Sequence, residues 1–270
     1  MSVTEIPELR IDLAPAAEAV ARGGRRLADL LSGATEPERA VKGLEWTLGE
    51  LAAHMAARTA RFAAYLDGSA TPQGEIADIG AENQADLRER RETPLADQVA
   101  ELRSNVEAFV GTTRGRLGSD PFPWYSGITL DVATGSGLLL GELVVHGFDA
   151  ARTMDAAWPI AAEDARTILR AAAALAPWYV DPERTKGDRT TYRVSVRGGP
   201  AFRIRMRDGA ASVEPSDGPA DCTIRADPVM LLLLLYGRIG RTQAALRGKL
   251  VATGRRPWRA LRFERSFLPP

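Results

Sequence analysis

Near residue 190 the hydrophobic repeat of this 270-residue chain changes period, and that change limits its fold more than any other feature. Upstream, apolar residues recur at helical spacing, as in Ala17, Val20, Leu27 and Leu31. Downstream they alternate: Tyr192-Arg193-Val194-Ser195-Val196-Arg197 and Phe202-Arg203-Ile204-Arg205-Met206 have the pattern of half-buried strands. Gly198-Gly199 and Asp208-Gly209 sit where turns belong. Further short strands are expected over residues 210–213 and 221–225. The chain therefore reads as α+β, with the helical part first. Pro182, Gly187 and several charges cluster between Asp181 and Asp188. This places a helical domain over residues 1–183 and a smaller α+β domain over 184–270.

Within the first domain, one helix is expected from about Leu13 to Leu31. A second starts at Thr47, because Thr47-Leu48-Gly49-Glu50 has the form of a capping box ahead of an apolar stripe, and it ends before Gly68. A third starts near Pro94 and carries Leu95, Val99, Leu102, Val106 and Phe109 on one face. A fourth covers about Gly137 to Met154, and another about Ala161 to Trp178. Four long helices joined by loops suggest an antiparallel bundle, an architecture that builds sites from side chains on facing helices. In the second domain a buried helix is expected over Pro228 to Tyr236 and an amphipathic one over Pro257 to Phe267.

Composition excludes several function classes. Thirty-five basic residues balance thirty-five acidic ones, so no global field draws the chain to nucleic acid or an anionic membrane. The apolar run Met230 to Leu235 is too short to span a bilayer. The stretch from Met1 to Pro7 lacks a basic-then-apolar signal pattern, so a cytoplasmic location is expected. The single cysteine, Cys222, rules out an internal disulfide and any four-cysteine metal site. No heptad pattern specifies an oligomeric state.

Only two histidines occur, His54 and His146. In Glu142-Leu143-Val144-Val145-His146 a carboxylate and an imidazole lie four positions apart, on one helix face. His54 lies in the apolar segment that follows Thr47. If the two helices pack together, two imidazoles and one carboxylate converge, and three such ligands with an open fourth position describe a catalytic zinc-type site. Taken alone, Glu142 and His146 make a surface pair of little energetic weight, and His54 makes a core histidine.

Around these residues the chain resembles the mycothiol-dependent maleylpyruvate isomerase family of actinobacteria. The matching stretches are Glu45-Trp46-Thr47-Leu48-Gly49-Glu50-Leu51-Ala52-Ala53-His54 and Gly141-Glu142-Leu143-Val144-Val145-His146-Gly147-Phe148-Asp149. Toward the C-terminus, Ala226-Asp227-Pro228 through Arg238, and Gly248 through Gly254, look like a sterol-carrier-type domain. The resemblance implies a DinB-like metal-binding bundle joined to an SCP2-like domain, with His54, Glu142 and His146 ligating a divalent metal, zinc above all. It also implies that the catalytic thiol is borrowed from mycothiol, since a thiol on Zn²⁺ is deprotonated and thiolate is the nucleophile. Family members use an arginine of the second domain to hold an anionic group, a task arginine suits through bidentate carboxylate recognition; Arg238, which follows Gly237 at the end of the Leu-rich helix, is chosen here over Arg225, Arg241 and Arg247.

The neighbouring residues have plainer readings beside functional ones. Glu50 is explained by the capping box rather than as a fourth ligand. Asp149 either orients a ligand imidazole or pairs with Arg152; its spacing allows both. Trp46, Trp124 and Tyr125 are candidates for lining a pocket, with core packing favoured for Trp46, and Cys222 reads as a small buried hydrophobe. Three functions follow in order: a mycothiol-dependent isomerase or S-transferase acting on a small electrophile; a thiol-independent metal hydrolase; and a carrier of an apolar ligand.

Overall fold

A computed structural model describes residues 6–240, 243 and 249–268 of the chain. Arg241, Arg247 and Gly248, which figure in the sequence reading, lie outside the described residues. The fold is α+β, as expected, and it divides into two compact units. One is Asp12–Ile160. The other joins the described residues up to Ile11 to those from Ala161 onward.

The first unit is built on four long helices: α1 (Leu13–Ser32), α2 (Leu48–Asp67), α4 (Leu95–Thr113) and α5 (Val132–Thr153), with the shorter α3 (Ile79–Glu89) beside α2. Helix α1 packs against α4 and α5, and α2 packs against the same two, which closes a four-membered ring. Small residues allow these approaches. A Cβ on Gly24 of α1 would stand 2.6 Å from a methyl of Val106 on α4. The capping box at α2 forms as its sequence predicts: Glu50 donates its N–H to the Thr47 hydroxyl, and Thr47 donates its N–H to the Glu50 carboxylate. Gly68, left-handed at φ 82°, ends the helix.

Helix α5 starts at Val132, earlier than the expected Gly137, with Asp131 accepting the Thr134 N–H as its cap. It is preceded by a small antiparallel hairpin, β1 (Pro121–Pro123) with β2 (Thr129–Asp131). Neither this hairpin nor α3 is visible in the hydrophobic pattern.

The second unit holds a five-stranded sheet of order β5-β4-β3-β6-β7, from β3 (Thr191–Val196), β4 (Ala201–Met206), β5 (Ala211–Pro215), β6 (Cys222–Ala226) and β7 (Leu250–Thr253). All pairs are antiparallel except β3 with β6. Tyr192, Val194 and Val196 point into the core while Arg193 and Ser195 alternate outward. Asp208 and Gly209 both take positive φ, 52° and 85°, the signature of the turn their sequence predicts. Helix α6 (Ala162–Leu175) packs on α7 (Pro228–Leu235), whose Leu231 to Leu234 are buried. The expected C-terminal helix is broken into short pieces, with only Ala260–Phe263 α-helical.

The division at residue 160 replaces the boundary expected between 181 and 188. Helix α6 precedes the change of texture, yet its partners are α7 and the turn Pro7–Leu9, so it belongs to the second unit. Among the described residues no helix is long and apolar enough to cross a membrane.

Candidate metal centre

Both halves of the centre repeat one device, a pair of functional side chains one turn apart. On α2 the pair is His54 and Arg58; on α5 it is Glu142 and His146. The α2–α5 packing turns the pairs toward each other. Elsewhere α2 is rich in alanine, and Leu51, Ala52, Ala53, Met55, Ala56 and Ala57 are all buried. His54 and Arg58 are therefore enclosed, at 2% and 3% exposure.

The three residues expected from the sequence to ligate a metal come together. His54 Nε2 lies 3.7 Å from Glu142 Oε2, and His146 Nε2 lies 3.4 Å from the same oxygen. One donor atom from each of the three falls within 4.8 Å of the others. Donors in a tetrahedral shell with bonds near 2.0–2.1 Å stand about 3.3 Å apart, so this set is slightly open around a common point. Two imidazoles and a carboxylate form a donor set that suits Zn²⁺ and other borderline divalent ions. The residues present fit the metal.

Electrostatics separate the two imidazoles. Burial drives His54 down to about 4, against a smaller opposing pull from Glu142, so it is neutral and keeps a lone pair at neutral pH. His146 is raised: burial opposes its charge, but the carboxylates of Asp149 and Glu142, each 3.4 Å from one of its ring nitrogens, prevail. Glu142 is held well below the usual carboxylate range, because Arg58 and the two imidazoles outweigh the cost of burial.

Asp149 has settled on one of its two expected roles. It is 1% exposed, and its Oδ2 lies 3.4 Å from His146 Nδ1, the position of a carboxylate that orients an imidazole through its far nitrogen. Arg152 donates instead to the backbone carbonyl of Lys42. Glu50 is occupied by its cap.

Trp46 does more than fill core. Its half-buried ring lies 4.7 Å from the His54 ring and 5.8 Å from that of His146, centroid to centroid. The loop that carries it is tied down by Val41 N–H to the Trp46 carbonyl at 2.8 Å, and by Lys42 N–H to the Thr153 hydroxyl at the end of α5. Trp124 sits in an aromatic cluster with Phe62, Phe122 and Tyr125. Tyr125 is buried; its hydroxyl donates to Glu82 and lies 3.5 Å from Arg58.

Arg58 was missed by sequence reasoning. Its Nη2 donates to Glu142 Oε1 at 3.1 Å. The available signal was an arginine four residues after His54, inside an alanine-rich helix. Arg238 belongs to the second unit, where its Nη1 donates to the Tyr236 carbonyl at 2.6 Å just past α7. Cys222 is buried on β6, and burial pushes its thiol up, so it is not a reactive sulfur.

Residues 18–151 match the family described as the mycothiol maleylpyruvate isomerase N-terminal domain, and residues 169–255 match the SCP-2 sterol transfer family. No curated protein matches the chain in sequence. Among solved structures, a crystal structure of the mycothiol-dependent maleylpyruvate isomerase is similar, with a TM-score of 0.54 at 12% identity, covering 94% of this chain and 95% of that one. A crystal structure of a histidine-to-alanine mutant of that enzyme gives a TM-score of 0.55 with the same identity and coverage. At 12% identity the likeness is one of fold.

Proposed function

Because this chain belongs to the family that joins a mycothiol maleylpyruvate isomerase N-terminal domain to an SCP-2 sterol transfer domain, we propose that it is a metal- and mycothiol-dependent enzyme acting on a small electrophilic substrate. The observation that carries this reading is the convergence of one donor atom each from His54, Glu142 and His146 within 4.8 Å. A divalent ion held there supplies Lewis acidity, which keeps a coordinated thiol deprotonated at neutral pH.

The chain's own residues prepare that chemistry. His54 is kept neutral by burial and offers its lone pair without a proton to displace. Glu142 stays ionised, and Asp149 fixes the orientation of His146. The Trp46 ring covers one side of both imidazoles and restricts water there. The lone cysteine is buried with its thiol disfavoured from ionising, so the nucleophilic sulfur has to come from outside. The reaction class is thiol addition to an electrophile. If the adduct is released, the outcome is S-transfer. If addition turns a double bond into a rotatable single bond before the thiol leaves, the outcome is cis–trans isomerisation.

We assign Arg238 to an anionic group of the substrate or thiol. Support comes from its place just past α7, within the SCP-2 match, and from the bidentate geometry of guanidinium toward carboxylate.

The reading is tested by calorimetric titration of zinc-loaded protein with mycothiol. The wild type should bind one equivalent. His146→Ala should lose the binding together with the metal, while Arg238→Ala should bind about tenfold more weakly or worse with its metal retained, roughly the loss of one charged hydrogen bond. Absence of thiol binding to the loaded wild type, or full turnover of an electrophile with no thiol added, contradicts the proposal.

A further inference from the structure

The two oxygens of Glu142 are in different hands. Oε2 faces both imidazoles, at 3.7 and 3.4 Å, whereas Oε1 accepts from Arg58 at 3.1 Å. We propose that Arg58 is a positioning residue that makes Glu142 a one-oxygen ligand by occupying Oε1 and leaving Oε2 to the metal. This rests on the metal reading of the centre and goes beyond it by giving a fourth residue, buried Arg58, a defined task.

The position of Arg58 fits that task. It sits one helical turn after His54, so the helix that supplies a ligand also supplies the clamp on another ligand. Its side chain is 4% exposed in an alanine-rich stretch of α2, an expensive place for a charge unless its partner demands it. The guanidinium also has partners other than Glu142. It lies over the Phe62 ring at 5.4 Å, and its Nη1 is 3.5 Å from the Tyr125 hydroxyl. That hydroxyl is itself fixed by Glu82 and lies 3.4 Å from the Tyr65 hydroxyl. A planar fork so braced presents a fixed edge to one carboxylate oxygen.

The chemical consequence concerns the open position. A carboxylate is free to bind a metal through one oxygen or two, and a second oxygen would take up coordination that an incoming ligand needs. With Oε1 committed to Arg58, three protein donors remain three, and room is kept for an exogenous group.

The test substitutes Co²⁺, whose visible bands report coordination number where zinc is silent. Wild-type protein should give the intense bands of a low-coordinate site. In Arg58→Met, Oε1 is released, and the bands should weaken and shift as coordination rises by one. Arg58→Lys, which keeps a cationic donor near Oε1, should restore the wild-type spectrum. Because Arg58→Met removes a buried charge and risks misfolding, zinc-edge X-ray absorption of the wild type provides an independent check. One carboxylate oxygen at bonding distance supports the proposal, and two oxygens from Glu142 overturn it. Identical cobalt spectra for folded wild type and Arg58→Met also overturn it, with the metal reading intact. A wild type that binds neither ion overturns both.

Discussion

His54 and His146 are the same residue type aimed at the same carboxylate oxygen, yet their surroundings push them in opposite directions. His54 is driven down to about 4 by burial, while Asp149 and Glu142 raise His146. Protons compete with metal for a ligand imidazole, so a raised site loses its metal first as pH falls. We expect zinc affinity, measured by chelator competition, to be nearly flat at high pH and to weaken as the pH falls through the raised range of His146, above the ordinary value near 6.5. His54 adds no competition until about 4. Asp149→Asn, by removing one of the charges that hold the proton on His146, should move the onset of weakening to lower pH. An onset unmoved by that substitution contradicts the assignment of Asp149. At this scale the convergence of the candidate ligands was legible because helical spacing alone places Glu142 and His146 together, and only two histidines exist to choose from. Arg58 was not, since its place four residues after His54 does not by itself show that it faces a carboxylate 84 positions away. Trp46 was undervalued for the same reason: its contact with both imidazoles depends on how a loop is tied to the end of α5.

Helix α5 carries two of the proposed ligands, and Gly147, directly after His146, decides how closely its surroundings can approach. A Cβ at that position would stand 2.0 Å from the Trp158 ring, whose N–H donates to the Val144 carbonyl at 3.0 Å. Gly147→Ala must displace a large ring and break that bond, a cost of about 1–3 kcal/mol by the usual scale of overpacking. Gly111, exposed on α4 with open space where a Cβ would go, makes the contrast. Gly111→Ala should be neutral or stabilising, by up to about 1 kcal/mol. Urea denaturation of the two variants measures the difference, and equal stabilities contradict the packing account. The elements themselves were legible where pattern and punctuation agreed. Thr47 with Glu50 opened α2, Pro94 preceded α4, and Asp208-Gly209 turned β4 into β5. They were illegible where pattern was weak. Helix α3 buries only Asp86 and Leu87, and so shows no stripe. The first turns of α5 contain Gly135 and Gly137, which read locally as loop.

For the whole molecule, the change of hydrophobic period announced an α+β chain correctly but misplaced the seam. Residues 161–183 continue the helical texture of the first unit while finding their partners in the second, as does the turn Pro7–Leu9 at the far end of the sequence. Membership of a unit is a property of long-range contacts, and local composition carries no record of it. The charge balance points the same way as the centre: with acidic and basic residues equal in number, recognition falls to local chemistry rather than to a global field. The chemistry we propose is a metal held between two facing helices, and metal content measures it most directly. Purified protein, loaded with zinc and dialysed, should hold one equivalent per chain by elemental analysis, and His54→Ala, Glu142→Ala and His146→Ala should each hold a small fraction of that. A wild type without metal, or a variant that retains the full equivalent, contradicts the account.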